Sequence, residues 1–470
     1  MPADTPHPLY KSHEARASRV RDAVSGTDAI KAGGETYLPN PSGRISLLPE
    51  GEQEAAEARY HAYLTRAFWL GVTGRTHEGL LGAIFRKAPT VELPSAIEYM
   101  RDDADGSGLA LEQFGRLTSS ALLTSGRHSI LVDYPEAEDG LTREQTRGLR
   151  ATLRSYDSQS IINWRREGEQ ITLVVLRETY ETDQSDQFER VLDYQYRVLS
   201  LEDGRYVQTV YRDNVEVPQA RIEPRMANGE PWAVIPFVFV GAVLNDEAPD
   251  KPVLLDLADA NIAHYQSSAD RREGSHIVGQ PMFHIDIGNM DADTWKKLNP
   301  GGVTVGSRQG IQTQGGKAEL IQAEPQDMAR QDMQDAKEDM KAIGARLIDS
   351  RGGNETAEGV RARSGAEHSA LASVAINVGD ALEKALEFAA IFMTDANVFE
   401  QITVTLNQEF YEEGADPQMI AARIQELDRG VIAMQDYRAW SRRKGLISSD
   451  RTDEDIQADV QAGGTSLGVM

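Results

Sequence analysis

Asp103, Asp105, Gly106, Ser107 and Glu112 fall on positions 3, 5, 6, 7 and 12 of an EF-hand calcium loop. Position 1, the most demanding ligand, is Arg101. A guanidinium there repels the ion, so the stretch reads as a turn and a helix start, and no metal is expected. Gly301 and Gly306 have the spacing of a phosphate-cradling loop, yet Ser307 and Arg308 stand where Lys and Ser or Thr would hold phosphate and magnesium. Turns of a small β-rich segment account for these glycines. A nucleophile could be assembled on paper from Ser129, His128 and Asp133, but no nucleophile elbow and no HExxH surrounds them. His128 is expected to be a hydrogen-bonded structural histidine. Cysteine is absent, which removes disulfides, thiolate zinc sites and cysteine nucleophiles together. The chain is therefore expected not to be an enzyme and to need no cofactor.

Arg143, Arg147, Arg150 and Arg154 form a basic stripe spaced four, three and four apart, as on one face of a helix that Thr142 and Gln145 would start. Three readings fit: a solvated face paired with local acids, a subunit interface against an acidic neighbour, or DNA contact.

The elements that would position any site are clearest in the second half of the chain. Residues 232–241 are almost continuously apolar, as a strand buried on both faces would be. Over residues 253–273, Leu254, Leu255, Ala258, Ile262, Ala263 and Tyr265 recur at helical spacing, and the helix is expected to stop at Gly274. Glycines and prolines then punctuate short β-prone runs, 282–287 and 302–305 among them, where no helix is expected. Helical periodicity resumes after Pro325, with Met328, Ala329, Ala336, Met340 and Ile343 near one stripe and acids elsewhere around the helix. A break at Asp349, Ser350, Arg351, Gly352, Gly353, Asn354 and Glu355 precedes an Ala-rich stretch, 356–393, that reads as one long helix with room for kinks at Gly359, Gly365 and Gly379.

This order of strand, helix, β-rich insert, helix, glycine-rich loop and helix resembles the portal proteins of tailed bacteriophages. Residues 79–87, 105–108 and 126–133 also look like the N-terminal half of one branch of that family, so the resemblance runs from about Tyr37 to about Gly445. It implies an α+β, mainly helical chain with a flexible arm at 1–36, a mixed α/β wing at 37–252 and a first stem helix at 253–273. A small α/β clip follows at 274–323, a second stem helix at 324–348, a tunnel loop at 349–355 and a long wing helix at 356–394. A short β segment at 395–413 returns to the wing, a helical crown spans 414–462, and 463–470 is a disordered tail.

The resemblance further implies a closed ring of twelve copies at one capsid vertex, in a virion assembled in the host cytoplasm. That ring would carry DNA during packaging and ejection and dock the terminase large subunit, a head-tail adaptor and the major capsid or scaffold protein. Leu254, Leu255, Ala258, Ile262, Met328, Ala336, Met340 and Ile343 would pack the stem against its copies. The loop from Asp349 to Glu355 would face transient, non-specific double-stranded DNA, its Gly352 and Gly353 letting the backbone move.

Composition agrees with a structural role. A formal charge of -25 argues against a conventional DNA binder, which needs a basic footprint, but suits a channel that repels phosphate. No segment approaches the roughly 20 apolar residues of a membrane span, and the polar N-terminus lacks a signal-peptide core. In the first half, 51–70, 75–87 and 109–123 have helical spacing, whereas 171–176, 190–199 and 205–212 alternate like strands, with Asp203-Gly204 as a hairpin turn. Short helices are expected at 417–429, 431–444 and 450–461. Arg438, Arg442, Arg443 and Lys444 could suggest a helix-turn-helix, but the acidic context favours a helical cluster. Two other classes stay open: another ring-forming virion component, such as an adaptor or internal scaffold-like protein, and a soluble hydrolase or nuclease.

Overall fold

The computed structural model describes residues 2–135, 149–183, 188, 190–279, 282–298, 314–321, 328–348, 357–408, 410, 417–443, 446–447 and 451–463. They sort into two compact units, Met1–Gln408 and Glu409–Met470.

The first unit begins with helix α1 (Pro8–Ser25), whose proline occupies the first turn and whose His7 side chain accepts from the Leu9 amide. Ala17, Val20 and Ala23 are fully buried on one face. The expected flexible arm is therefore corrected over these residues. The His7 amide donates to the Ile162 carbonyl at 2.8 Å, Asn163 Nδ2 donates to the Thr5 carbonyl at 2.8 Å, and the His7 ring stacks on Trp164 at 4.1 Å. Small residues make this face; their weak hydropathy hid it among the charges.

Helices α2 (Thr27–Ala32), α3 (Glu50–Arg66) and α4 (Val72–Ile84), strand β1 (Thr90–Glu92) and helix α5 (Leu111–Ser125) follow. Gly126 closes α5 with φ +69°, where a side chain would also strike the Asp250 carbonyl. The chain then enters β2 (Arg127–Asp133), which pairs antiparallel with β3 (Thr152–Asp157).

Arg150 and Arg154 thus lie on an extended segment and not on a helix, which corrects the basic stripe. Ala151 and Leu153 are fully buried while Arg150 and Arg154 are exposed, an alternation of period two. A four-residue spacing suits either period. Arg143 and Arg147 lie outside the described residues.

Strands β4 (Ile161–Glu167), β5 (Gln170–Asp183), β6 (Val191–Glu202), β7 (Arg205–Arg212) and β8 (Val215–Glu216) make an antiparallel meander in sequence order. Its β6–β7 turn has Asp203 at φ +49° and Gly204 at φ +74°, the double positive φ that fits the right-handed twist of a tight hairpin. Strand β9 (Phe237–Gly241) completes a second sheet of order β3-β2-β9. It is shorter than the apolar run, because Pro236 precedes it and Trp232 is buried outside any strand.

Helix α6 (Leu255–Val278), strand β10 (Met282–Ile285), helix α7 (Ala292–Leu298), strand β11 (Ala318–Ile321), helix α8 (Met328–Ile348), helix α9 (Ala357–Met393) and strand β12 (Thr403–Thr405) complete the unit. Helices α6 and α8 run about 36 and 31 Å, and α9 about 55 Å, at 1.5 Å per residue. β10 and β11 pair antiparallel, and β12 pairs with β1. α7 contradicts the expectation that the insert holds no helix: between its glycines, Asp291 accepts from the Asp293 and Thr294 amides and so caps a short one.

Helices α5 and α9 pack on β2, six of whose seven residues are buried, and α9 also packs on β9. Trp232 lies in this core against Phe392, with ring centroids 4.6 Å apart. Gly379 serves close packing on α9, since a Cβ there would stand 2.8 Å from the Val404 carbonyl of β12.

The second unit holds α10 (Pro417–Asp428), α11 (Met434–Arg443) and α12 (Asp453–Gly463). Arg442 ion-pairs with Asp453, and Arg438 Nη1 donates to the Asp453 carbonyl at 3.4 Å. Both arginines tie α11 to α12, so neither is held out as a base-reading side chain.

Candidate functional site

The strongest candidate for function is the span from α6 to α9, and α6 is its anchor. Leu254, Leu255, Ala258 and Ile262 are all at most 8% exposed, and Tyr265 and Ala269 continue the stripe. They face α1, α3, α4 and α8 of the same chain. This corrects the expectation that the α6 stripe meets neighbouring copies: it already fills the core of its own subunit.

Polar residues fix the register of the helix. Asn261 Oδ1 accepts from the Val72 amide at 3.2 Å, the Thr73 amide at 3.2 Å and Thr73 Oγ1 at 3.0 Å. The N-cap residue of α4 is Gly71, which offers no side chain, so a residue 190 positions downstream supplies the cap. Ser268 Oγ accepts from the Phe68 amide at 3.0 Å and lies 2.9 Å from the Phe68 carbonyl. Tyr63 Oη donates to Asp270 Oδ1 at 2.5 Å, and Arg66 ion-pairs with Glu273. Burial first, then the Asp270 hydrogen bond, raises the Tyr63 phenol above its ordinary range.

Past these ties the helix does not stop at Gly274. It continues to Val278, with residues 274–277 all exposed, and Gly279 ends it. One interior glycine costs only about 1 kcal/mol, too little to end a helix whose preceding five turns are packed.

Helix α8 lies along α6. Met340 is 1% exposed, Ala336 and Ile343 are half-buried, and Met328 is 75% exposed. The stripe thus faces the partner helix within the chain along most of its length, with Met328 outside that contact. The loop residues Asp349, Ser350, Arg351, Gly352, Gly353, Asn354 and Glu355 lie outside the described residues.

The chemical motifs resolve into structure. Asp105 Oδ1 accepts from the Ser107 and Leu109 amides at 2.9 and 3.1 Å, and Asp103 Oδ1 accepts from the Gly108 amide at 2.8 Å. These carboxylates hold a turn, and among the described residues no group of three or more metal-ligating side chains occurs. His128 is fully buried; its Nε2 lies 3.0 Å from Ser155 Oγ, and burial pushes its imidazole down to about 4. Ser129 Oγ donates to the His128 carbonyl at 2.6 Å, and Asp133 accepts from Arg154 at 3.0 Å. The three residues form no relay. Of the arginines singled out earlier, Arg150 stacks over Tyr99 at 4.8 Å.

A family described as a domain of unknown function (DUF4055) matches residues 253–393. Those bounds run from two residues before α6 to the last residue of α9, so the helix, insert, helix and long helix behave as one unit of sequence. No curated protein matches. Among solved structures, the chain is similar to a chain in the virion of a native gene transfer agent particle, at 12% identity and a TM-score of 0.40, covering 81% of this chain and 92% of that one. It is also similar to chains in the neck of an empty particle computed with C6 symmetry and in the neck of a native particle computed with C12 symmetry. For these the identities are 13% and 16%, and the TM-scores are 0.39 and 0.37. The first covers 81% of this chain and 92% of that one, the second 83% and 93%.

Sequence reasoning missed Asn261, Ser268 and Asp270. For Asn261 and Ser268 a signal existed: polar residues recur within an apolar helical stripe, and a buried polar side chain needs a partner. The partner's identity did not lie in the local sequence.

Proposed function

We propose that this chain is a portal subunit of a phage-like particle, assembling head-to-tail into a closed ring with an axial channel for double-stranded DNA. The succession of α6, the β10–α7–β11 insert, α8 and the long α9 carries this reading. It fits a subunit in which one buried helix end anchors a helical pair and the far end stays exposed. The insert would meet the terminase large subunit during packaging and an adaptor afterwards, and the outer body would meet the capsid or scaffold protein. The Asp349 to Glu355 loop would border the channel. The role needs geometry and weak contact with DNA, not catalysis, and the large net negative charge suits a surface that does not retain phosphate.

The test is electron microscopy of the purified full-length chain. Rings viewed down their axis with an open centre are expected, and native mass measurement gives the copy number. A protein that stays monomeric across the concentrations tested, or that closes into assemblies with no axial opening, overturns the proposal.

A further inference from the structure

Residues 2–9 lie against strand β4 as a strap, and one titratable side chain fastens it. The His7 amide donates to the Ile162 carbonyl at 2.8 Å, and Asn163 Nδ2 donates to the Thr5 carbonyl at 2.8 Å. The His7 ring stacks on Trp164 at 4.1 Å, and that indole is buried. His7 Nδ1 also accepts from the Leu9 amide at 3.2 Å, so the same imidazole is the N-cap of α1. A ring nitrogen that accepts carries no proton. The docked ring is therefore the neutral tautomer with its hydrogen on Nε2.

Three features of the surroundings oppose a second proton. A protonated Nδ1 would set a donor against the Leu9 N–H and end the cap. The new cation would stand at the positive end of α1, whose first turn holds no acid to offset it. The Trp164 ring also carries the buried Arg127 guanidinium of β2, 3.9 Å from its centroid, so a fixed like charge opposes any attraction of an imidazolium to that indole. The acids nearby are engaged elsewhere: Glu247, between β9 and α6, pairs with Arg166 of β4 at 2.9 Å, and Asp4 accepts from Asn214 Nδ2 at 3.5 Å. Lys11, one turn into α1, adds an exposed positive charge. Burial first, then Arg127, lowers the His7 imidazole below its ordinary value of 6.5. The docked strap takes a proton less readily than a free one, so docking is complete above pH 6.5 and weakens as pH falls below it.

We infer that residues 2–9 form an acid-released strap: protonation of His7 uncaps α1, sets two cations beside one indole, and frees the segment from β4. Release bares Trp164 and the Ile162 carbonyl on β4, which is an edge strand of its sheet. It leaves α1 itself in place, because Ala17, Val20 and Ala23 bury that helix without help from the imidazole. The inference does not depend on the ring reading.

Hydrogen exchange on the full-length chain tests it between about pH 7.5 and 5, with exchange times scaled to the intrinsic rate at each pH. The His7, Leu9 and Tyr10 amides report the strap, and peptides covering Leu111–Ser125 report the rest of the unit. In wild type the strap is expected to lose about fivefold in protection across this range, the worth of one helix cap, while α5 holds its own. His7→Asn supplies a cap that does not titrate, so the protection of its strap should not vary with pH. Wild-type strap protection that stays level overturns the inference, whatever the variant does. So does a parallel loss in His7→Asn, which would place the titrating group elsewhere, or an equal loss in the α5 peptides, which would mark general loosening of the unit.

Discussion

Replacing Asn261 by alanine should loosen α4 from a distance. Its Oδ1 serves three donors at the start of that helix, and both Asn261 and Thr73 are fully buried, so water cannot replace the lost acceptor. Loss of a helix cap costs about 1 kcal/mol, and leaving a buried donor unsatisfied costs about 1 to 3. Because the same groups enter both figures, a total of about 2 to 3 kcal/mol is expected. Because the cost falls on the start of one helix, a local measurement reports it more directly than a global melting curve. Hydrogen exchange read on peptides covering Val72–Ile84 measures the local opening directly. A loss of 2 kcal/mol corresponds to roughly 30-fold faster exchange there, at 1.4 kcal/mol per decade. Thr73→Val removes one of the donors, so in the double variant the two costs should fall short of additivity by about 1 kcal/mol. Exchange in this segment within about threefold of wild type would refute the reasoning, as would full additivity.

Acid should weaken the first unit through His128. Its imidazole ionises near 4 in the fold against 6.5 unfolded, so the unfolded chain binds more protons between these values; the stability is complete above pH 6.5 and lost as pH falls toward 4. The full loss is about 3 kcal/mol, and the thermal midpoint of His128→Leu should fall less from pH 7 to pH 4.5 than that of wild type. Gly126→Ala forces a left-handed φ on a residue whose Cβ would lie 2.5 Å from the Asp250 carbonyl, so a cost above about 2 kcal/mol is expected. A thermal midpoint equal to wild type would contradict it.

How much of this could be read from sequence depended on whether one period dominated locally. The 356–393 stretch announced a helix because alanines and leucines repeat over ten turns, and α9 begins one residue later than expected. Asp203-Gly204 announced its turn because few residues accept two positive φ values in succession. Arg150 and Arg154 misled because a four-residue step belongs to both periods, and the deciding evidence, burial of Ala151 and Leu153 against β2, is tertiary. Gly274 misled for the opposite reason: a local breaker was weighed without the packing that outweighs it. The same distinction governs the candidate site. On α8 the stripe of Met333, Ala336, Met340 and Ile343 is written in the sequence, but only the burial of Met340, 1% exposed, shows which way it faces.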